Sequence, residues 1–302
     1  MDRLSGKSAR QASDWVGDWP IPNSWSWRKP SPAAPGERRR VRIIDTTLRD
    51  GEQAPGFAFS PGDKARLAHL LDRAGVYQIE AGIPAMGPHE RDAVLAVRDE
   101  VETALIAVWN RLRLDDVKQS LDCRPDVIHI SAPISPGLLR SKLGKGADWL
   151  CRELRRCVEF ALDRSCRVSV GFEDASRADL GFMADLAGTL AELGVSSVRF
   201  ADTVGILSPS SVYDAITRLK SGVGIHAHND LGMAVANSIA ACRAGAEYVD
   251  ATLFGIGERA GNCNLLAFVE AAEPWFDAGL DSGTASRLEK QAAPIIWRGD
   301  CA

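Results

Sequence analysis

Val41-Arg42-Ile43-Ile44-Asp45 runs directly into Thr46-Thr47-Leu48-Arg49-Asp50-Gly51, and the fold turns on that junction. The first five residues read as a β-branched strand, and an open doubly wound sheet would normally follow its first strand with Gly-x-Gly-x-x-Gly. Thr-Thr-Leu-Arg-Asp-Gly stands there instead. Downstream, runs with strand character recur at 77–81, 104–109, 127–131, 167–172, 197–201, 224–227 and 248–252, separated by stretches with helical periodicity. Eight strands, each followed by a helix, satisfy the right-handed crossover rule most simply by closing into a (β/α)₈ TIM barrel. Ser60-Pro61 and Ser208-Pro209 support this, each placing a cap residue before a proline suited to the first helical position.

A barrel predicts that the working residues lie at or just beyond the C-terminal ends of its strands. Polar residues do fall there. Asp45 to Gln53 follow strand one, strand two ends on Glu80, strand five on Glu173-Asp174 and strand six on Asp202-Thr203. Strand seven ends on His226-Ala227-His228, two of only five histidines in the chain. On a strand the period-2 alternation puts both imidazoles on one face, as two ligands of one metal require. Such a pair also suits histidines bonded to solvent or backbone, so the metal reading needs support from other strands.

Net charge is −4 over 302 residues with both signs interspersed, which leaves no broad basic footprint for nucleic acid. No apolar run is long enough to cross a bilayer, so no membrane partner is expected. The seven cysteines are scattered without a Cys-x-x-Cys pair, which argues against a disulfide framework or thiolate zinc and suits a reducing cytoplasm. Residues 1–40 differ from the rest: Trp15, Trp19, Trp25 and Trp27 fall among prolines, and Arg38-Arg39-Arg40 closes the stretch. They are expected to form an irregular N-terminal extension, either packed on the barrel or a partner subunit or left as a linker.

Three segments then carry a family resemblance: Leu48-Arg49-Asp50-Gly51-Glu52-Gln53, His226-Ala227-His228-Asn229-Asp230 and Gly257-Glu258-Arg259-Ala260-Gly261-Asn262. Together they resemble the signatures of the α-isopropylmalate synthase and homocitrate synthase family of metal-dependent barrels, a group that extends to 3-hydroxy-3-methylglutaryl-CoA lyase. The stretches Gly171 to Leu180 and Phe200 to Gly205 look most like homocitrate synthases associated with nitrogen fixation. The likeness implies a pyruvate-carboxyltransferase-like barrel over 41–275 and a short helical tail over 276–302. It implies an acyltransferase that condenses acetyl-CoA with a 2-oxo acid, 2-oxoglutarate foremost, to give homocitrate and CoA. By the same resemblance Asp50, His226 and His228 hold a divalent metal, with Asn262 as a further ligand. That mixed donor set does not choose among Mg²⁺, Mn²⁺ and Zn²⁺.

The other roles follow from the likeness and from charge. Arg49 matches the arginine aimed at the keto oxygen, which becomes an alkoxide when the acetyl-CoA enolate attacks. Gln53 is expected to orient the oxo acid, and Glu80, Glu173 and Thr203 match strand-end positions near substrate. Glu80 and Glu173 are also the barrel's own candidates for the enolising base. Arg111 and Arg113 follow strand three, where either could pair with the distal carboxylate of 2-oxoglutarate or form a solvated salt bridge.

The lyase branch carries a catalytic cysteine in its glycine-rich loop. Here Glu258-Arg259 stands there, and Cys263, beyond Asn262, reads as packing. Complete synthases supply a histidine and a tyrosine from a segment after the barrel, whereas residues 274–302 contain neither. Three readings stay open: a synthase acting as a homodimer or with a complementing chain, a metal-dependent C–C lyase, and a non-catalytic barrel that binds metal and oxo acid.

Overall fold

The alternation of strand-like and helical stretches folds into eight parallel strands: β1 (Arg42–Asp45), β2 (Gln78–Gly82), β3 (Leu105–Arg111), β4 (Val127–Pro133), β5 (Arg167–Glu173), β6 (Ser197–Asp202), β7 (Val223–Ala227) and β8 (Tyr248–Ala251). Each pairs with the next and β8 returns to β1, closing the TIM barrel. This computed structural model describes residues 38–219 and 222–297. The tryptophans expected in the extension lie outside the described residues.

Each strand is followed by a helix: α1 (Pro61–Ala74), α2 (Pro88–Glu100), α3 (Leu114–Leu121), α4 (Ala147–Leu162), α5 (Leu180–Glu192), α6 (Pro209–Leu219), α7 (Ala234–Ala244) and α8 (Leu265–Ala272). A ninth, α9 (Ser282–Ile296), packs against α1 and α8. The serine-proline starts behave as capped helices. Ser60 and Asp63 form a reciprocal capping box, and the Ser211 amide points to Ser208 Oγ at 3.4 Å. A cap of this kind contributes about 1 kcal/mol.

Arg39–Arg40 form a short parallel strand with Phe276–Asp277, so the ordered fold begins before Val41. Arg40 pairs with Asp277 at 2.7 Å and the Arg39 guanidinium donates to the Ala246 carbonyl at 3.1 Å. The charged run is thus tied to the barrel's N-terminal end, opposite the mouth.

Stability and chemistry occupy different layers. Outward strand residues such as Ile106, Ile128, Val170, Phe200 and Ile225 pack on helix residues such as Leu67, Val94, Leu154 and Ile216 in one core. Each such buried side chain contributes about 1.5–3 kcal/mol. The barrel interior is polar instead: Glu80, His129, Arg199, His226 and Asp250 are all buried, and ion pairs join Glu80, Arg199, Asp250 and His226. β2 runs on to Gly82 through a bulge after Glu80, so Glu80 lies inside the strand and not at its end as the sequence suggested.

Asp45 gives a measurable consequence. Burial pushes its carboxyl up to about 7, against hydrogen bonds donated by the Thr47 amide and hydroxyl. A raised carboxyl keeps its proton in the folded state after the unfolded chain has lost it. Its contribution is therefore full below about pH 4 and lost as pH rises to about 7. Asp45→Asn removes this dependence. Chemical denaturation from pH 4 to 7 should show the wild type losing on the order of 4 kcal/mol relative to the variant. Parallel profiles would show that Asp45 ionises normally.

Candidate active site

The chain coils at once after β1. The amides of Asp50 and Gly51 both donate to the Thr46 carbonyl, at 2.8 and 3.0 Å, and this turn brings Arg49 and Asp50 back over the barrel. There Asp50 Oδ2 lies 3.1 Å from His226 Nε2, and the Nε2 atoms of His226 and His228 face each other at 3.2 Å. One ligand atom from each residue falls within 4.8 Å of the other two. Asn262 closes the group by donating from Nδ2 to Asp50 Oδ1 at 3.2 Å and to the Ile256 carbonyl at 3.1 Å. Its Oδ1 is buried and has no hydrogen-bond partner.

These residues fit a divalent ion. Burial and the neighbouring charge of His226 push His228 down to about 4, leaving its imidazole neutral at physiological pH. Burial also opposes protonation of His226, yet hydrogen bonds to Asp250 and Asp50 outweigh it and raise the group to about 9. Without a cation, then, a proton sits among Asp50, His226 and His228. A divalent ion would take its place, with the orphaned Asn262 oxygen beside it and Asp250 holding His226 Nδ1.

A ring of alternating charges underlies this cluster. Asp50 Oδ2 accepts from Arg49 Nη1 at 2.9 Å, and Arg49 Nη2 reaches Glu80 Oε2 at 3.3 Å. Glu80 also accepts from Arg199 Nη1 at 3.1 Å, and Arg199 Nε lies 2.9 Å from Asp250 Oδ2. Asp250 then meets His226 Nδ1 at 2.9 Å, which closes the ring through Asp50. Burial disfavours the Glu80 carboxylate, but Arg199 and Arg49 hold it down at about 2. Burial likewise opposes charge on Asp50, and Arg49 and His226 keep it well below the usual carboxylate range.

Around this floor lies a cavity of about 230 Å³ at the C-terminal mouth. Gln53, Glu173 and Thr203 line it. Glu173 pairs with Lys142 at 3.1 Å, and the Thr203 hydroxyl accepts from the Asp174 amide at 2.8 Å. Arg111 and Arg113 line no part of it. The chain leaves β3 outward into α3, where Arg111 grips Asp116 through Nε at 2.6 Å and Nη2 at 3.1 Å, and Arg113 is exposed. The salt-bridge alternative describes Arg111. Glu80 is bound by two guanidiniums, which favour its carboxylate form.

Arg199, Asp250, His129, Ser131, Trp109 and Lys142 also belong to the site, beyond the residues expected from the sequence. The first four had a signal. Each is a polar residue flanked by apolar ones in a β-branched run, as in Ile128-His129-Ile130-Ser131, Val198-Arg199-Phe200 and Val249-Asp250-Ala251. On strands buried on both faces, such alternation marks the inward positions. Trp109 lies under Arg49, whose guanidinium carbon is 5.7 Å from the ring centroid.

The loop after β8 covers one side of the mouth. Gly255, Gly257, Arg259 and Gly261 all have positive φ, and at Gly257 a Cβ would come within 2.0 Å of Asn262 Nδ2. Arg259 fastens the loop to Asp230 at 2.9 and 3.0 Å and to the Thr203 carbonyl at 2.8 Å. Cys263 lies beyond it, fully buried, and burial pushes its thiol up to about 12.

A family model described as HMGL-like matches residues 40–285. The chain belongs to the HMGL-like family. Within it, the chain is 46% identical over 237 residues to homocitrate synthase subunit alpha of Clostridium pasteurianum, covering 77% of this chain and 88% of that one. It is 47% identical over 262 residues to a homocitrate synthase of Frankia alni, covering 84% and 75%. This HMGL-like chain is an enzyme of the acyltransferase class to which those synthases belong. Its barrel resembles that of hydroxymethylglutaryl-CoA lyase from Pseudomonas aeruginosa, with a TM-score of 0.75, 19% identity and coverage of 85% and 93%. At that identity the likeness is one of fold. No helix among the described residues is long and apolar enough to cross a membrane.

Proposed function

We propose that the chain catalyses a Claisen condensation of acetyl-CoA with 2-oxoglutarate, giving homocitrate and CoA. The observation that supports this best is the convergence of Arg49 and Asp50 from β1 with His226 and His228 from β7 at the edge of a cavity large enough for a small oxo acid. Asp50, His226 and His228 would hold a divalent metal, with Asn262 beside them. When bound, such an ion supplies Lewis-acid stabilisation of negative charge on the keto oxygen.

The protein residues perform the remaining work. Arg49 is fixed between Asp50 and Glu80 and presents a preorganised cation to the developing alkoxide. A carboxylate takes a proton from the acetyl methyl group, and the resulting carbanion bonds to the keto carbon. The alkoxide is then protonated. Water cleaves the thioester, releasing a new carboxylate and the CoA thiol. Glu80 is too acidic to accept the first proton, so Glu173, at the mouth beside Lys142, is the proton acceptor this chain offers. Gln53 and Thr203 orient the oxo acid from the rim.

The name of the Clostridium relative includes a subunit designation, and we extend that arrangement here, with a complementing chain contributing to the acetyl-CoA site. The six described cysteines are unpaired, which fits a cytoplasmic setting. The buried, protonated Cys263 does not favour a lyase that uses a cysteine. The test is CoA thiol release by Mn²⁺-loaded protein given acetyl-CoA and 2-oxoglutarate, alone and with the product of any neighbouring gene. Homocitrate should appear by mass spectrometry. Absence of CoA release with every short 2-oxo acid would sink the proposal.

A further inference from the structure

With Arg111 and Arg113 turned away, the second carboxylate of an oxo diacid needs another partner. Arg199 points inward from β6 and lines the cavity while only 6% exposed. Asp250 and Glu80 fix its Nε and Nη1. Its Nη2 has no hydrogen bond among the described residues. Glu80 is shared with a second guanidinium, that of Arg49, and Asp250 also holds His226 Nδ1, so neither carboxylate serves Arg199 alone.

Two neutral donors stand beside this guanidinium. Gly171 pairs in register with both Ser131 and Arg199. A Cβ at Gly171 would come within 2.7 Å of His129 Nε2, so the glycine leaves that nitrogen room at the cavity wall. Burial and the nearby charge of Arg199 hold His129 well below the usual imidazole range, so it is neutral. Its Nδ1 lies 2.9 Å from Ser169 Oγ; with the serine donating, the ring proton resides on Nε2. The Ser131 hydroxyl has no partner among the described residues and lines the same wall.

The position suits a second carboxylate. Arg199 pairs in register with Gly224, two residues before His226, so its Cα sits about 6.6 Å deeper along the strands than that histidine's. A diacid held at the histidine pair can direct its second carboxylate toward that depth, and pyruvate has none to direct. We infer that Arg199, with His129 Nε2 and the Ser131 hydroxyl, forms a subsite for the second carboxylate of a 2-oxo diacid. This makes oxo dicarboxylates the preferred substrate class. The inference rests on the oxo-acid reading above, but not on the condensation step.

Calorimetric binding to Mn²⁺-loaded protein, without acetyl-CoA, tests it. The probes are 2-oxoglutarate and 2-oxopentanoate, the same five-carbon chain without the second carboxylate. Wild type should bind the diacid about 100-fold or more tightly. Arg199→Lys keeps a cation between Glu80 and Asp250 but loses the fork. It should reduce the preference to less than tenfold while changing 2-oxopentanoate binding less than threefold. Ser131→Ala should weaken the diacid alone by about five- to tenfold.

The subsite is overturned if wild type shows no preference or binds neither acid. It is also overturned if Arg199→Lys weakens both acids alike, or if Lys142→Met, at the rim, abolishes the preference and Arg199→Lys does not. A preserved preference with no CoA release when acetyl-CoA is added would leave the subsite standing and refute the condensation.

Discussion

Asp50→Ala is expected to lower kcat/KM for CoA release by about 10³-fold or more and to strip the purified protein of bound divalent metal. One carboxylate does three things here. Its Oδ2 meets both His226 Nε2 and Arg49 Nη1, and its Oδ1 accepts from the Asn262 amide. Removing it takes away a proposed metal ligand, the anchor of the arginine aimed at the keto oxygen, and the partner that orients Asn262. Loss of one preorganised donor at an oxyanion typically costs about 10²–10³ in rate, and loss of the ion adds to that. Asp50→Asn separates these effects, because it retains shape and hydrogen bonding but not charge. Metal content by elemental analysis and rates at saturating Mn²⁺ decide the matter. Stoichiometric metal and activity within tenfold of wild type in Asp50→Ala would place the metal centre elsewhere.

What could be read in advance follows a physical division. Backbone choices are local, so the β-branched runs, the Ser60-Pro61 start and the absence of a glycine turn after Asp45 were enough to indicate a barrel. His226 and His228 were legible because two residues on one strand share a face whatever surrounds them. Asp50 and Asn262 were named only by resemblance, since nothing local brings β1 and the loop after β8 together. Arg111 and Arg113 show the opposite failure. Their sequence position near a strand end was right for a mouth residue, but Asp116, a turn later in α3, holds the Arg111 side chain, and Arg113 is exposed. Arg199 and Asp250 are hidden because a barrel's working residues are expected at strand ends, whereas this barrel carries charge within its strands. Their alternation with apolar neighbours was the available clue. Its meaning depended on interior positions being polar, which most barrels are not.

That charged interior yields the second large effect, at Glu80. This carboxylate is fully buried between the guanidiniums of Arg49 and Arg199, at 3.3 and 3.1 Å. Glu80→Ala leaves two buried cations without their shared partner, and breaking a buried pair from one side costs about 3–5 kcal/mol. Chemical denaturation should register that loss. In the protein that remains folded, Arg49 keeps only Asp50 and loses its fixed position, so turnover should fall about 10²-fold with a smaller change in oxo-acid binding. Glu80→Gln discriminates charge from shape through pH. Because Glu80 is depressed to about 2 from an ordinary value near 4.5, its contribution is present above the unfolded value and disappears as pH falls through about 2. The advantage of wild type over Glu80→Gln should therefore be full at pH 6 and shrink by on the order of 3 kcal/mol by pH 2. Equal stability of the two proteins across that range would mean that the guanidiniums do not depend on Glu80. The ring beneath the metal centre would then be an arrangement of neighbours rather than the scaffold that holds Arg49 over the reacting carbon.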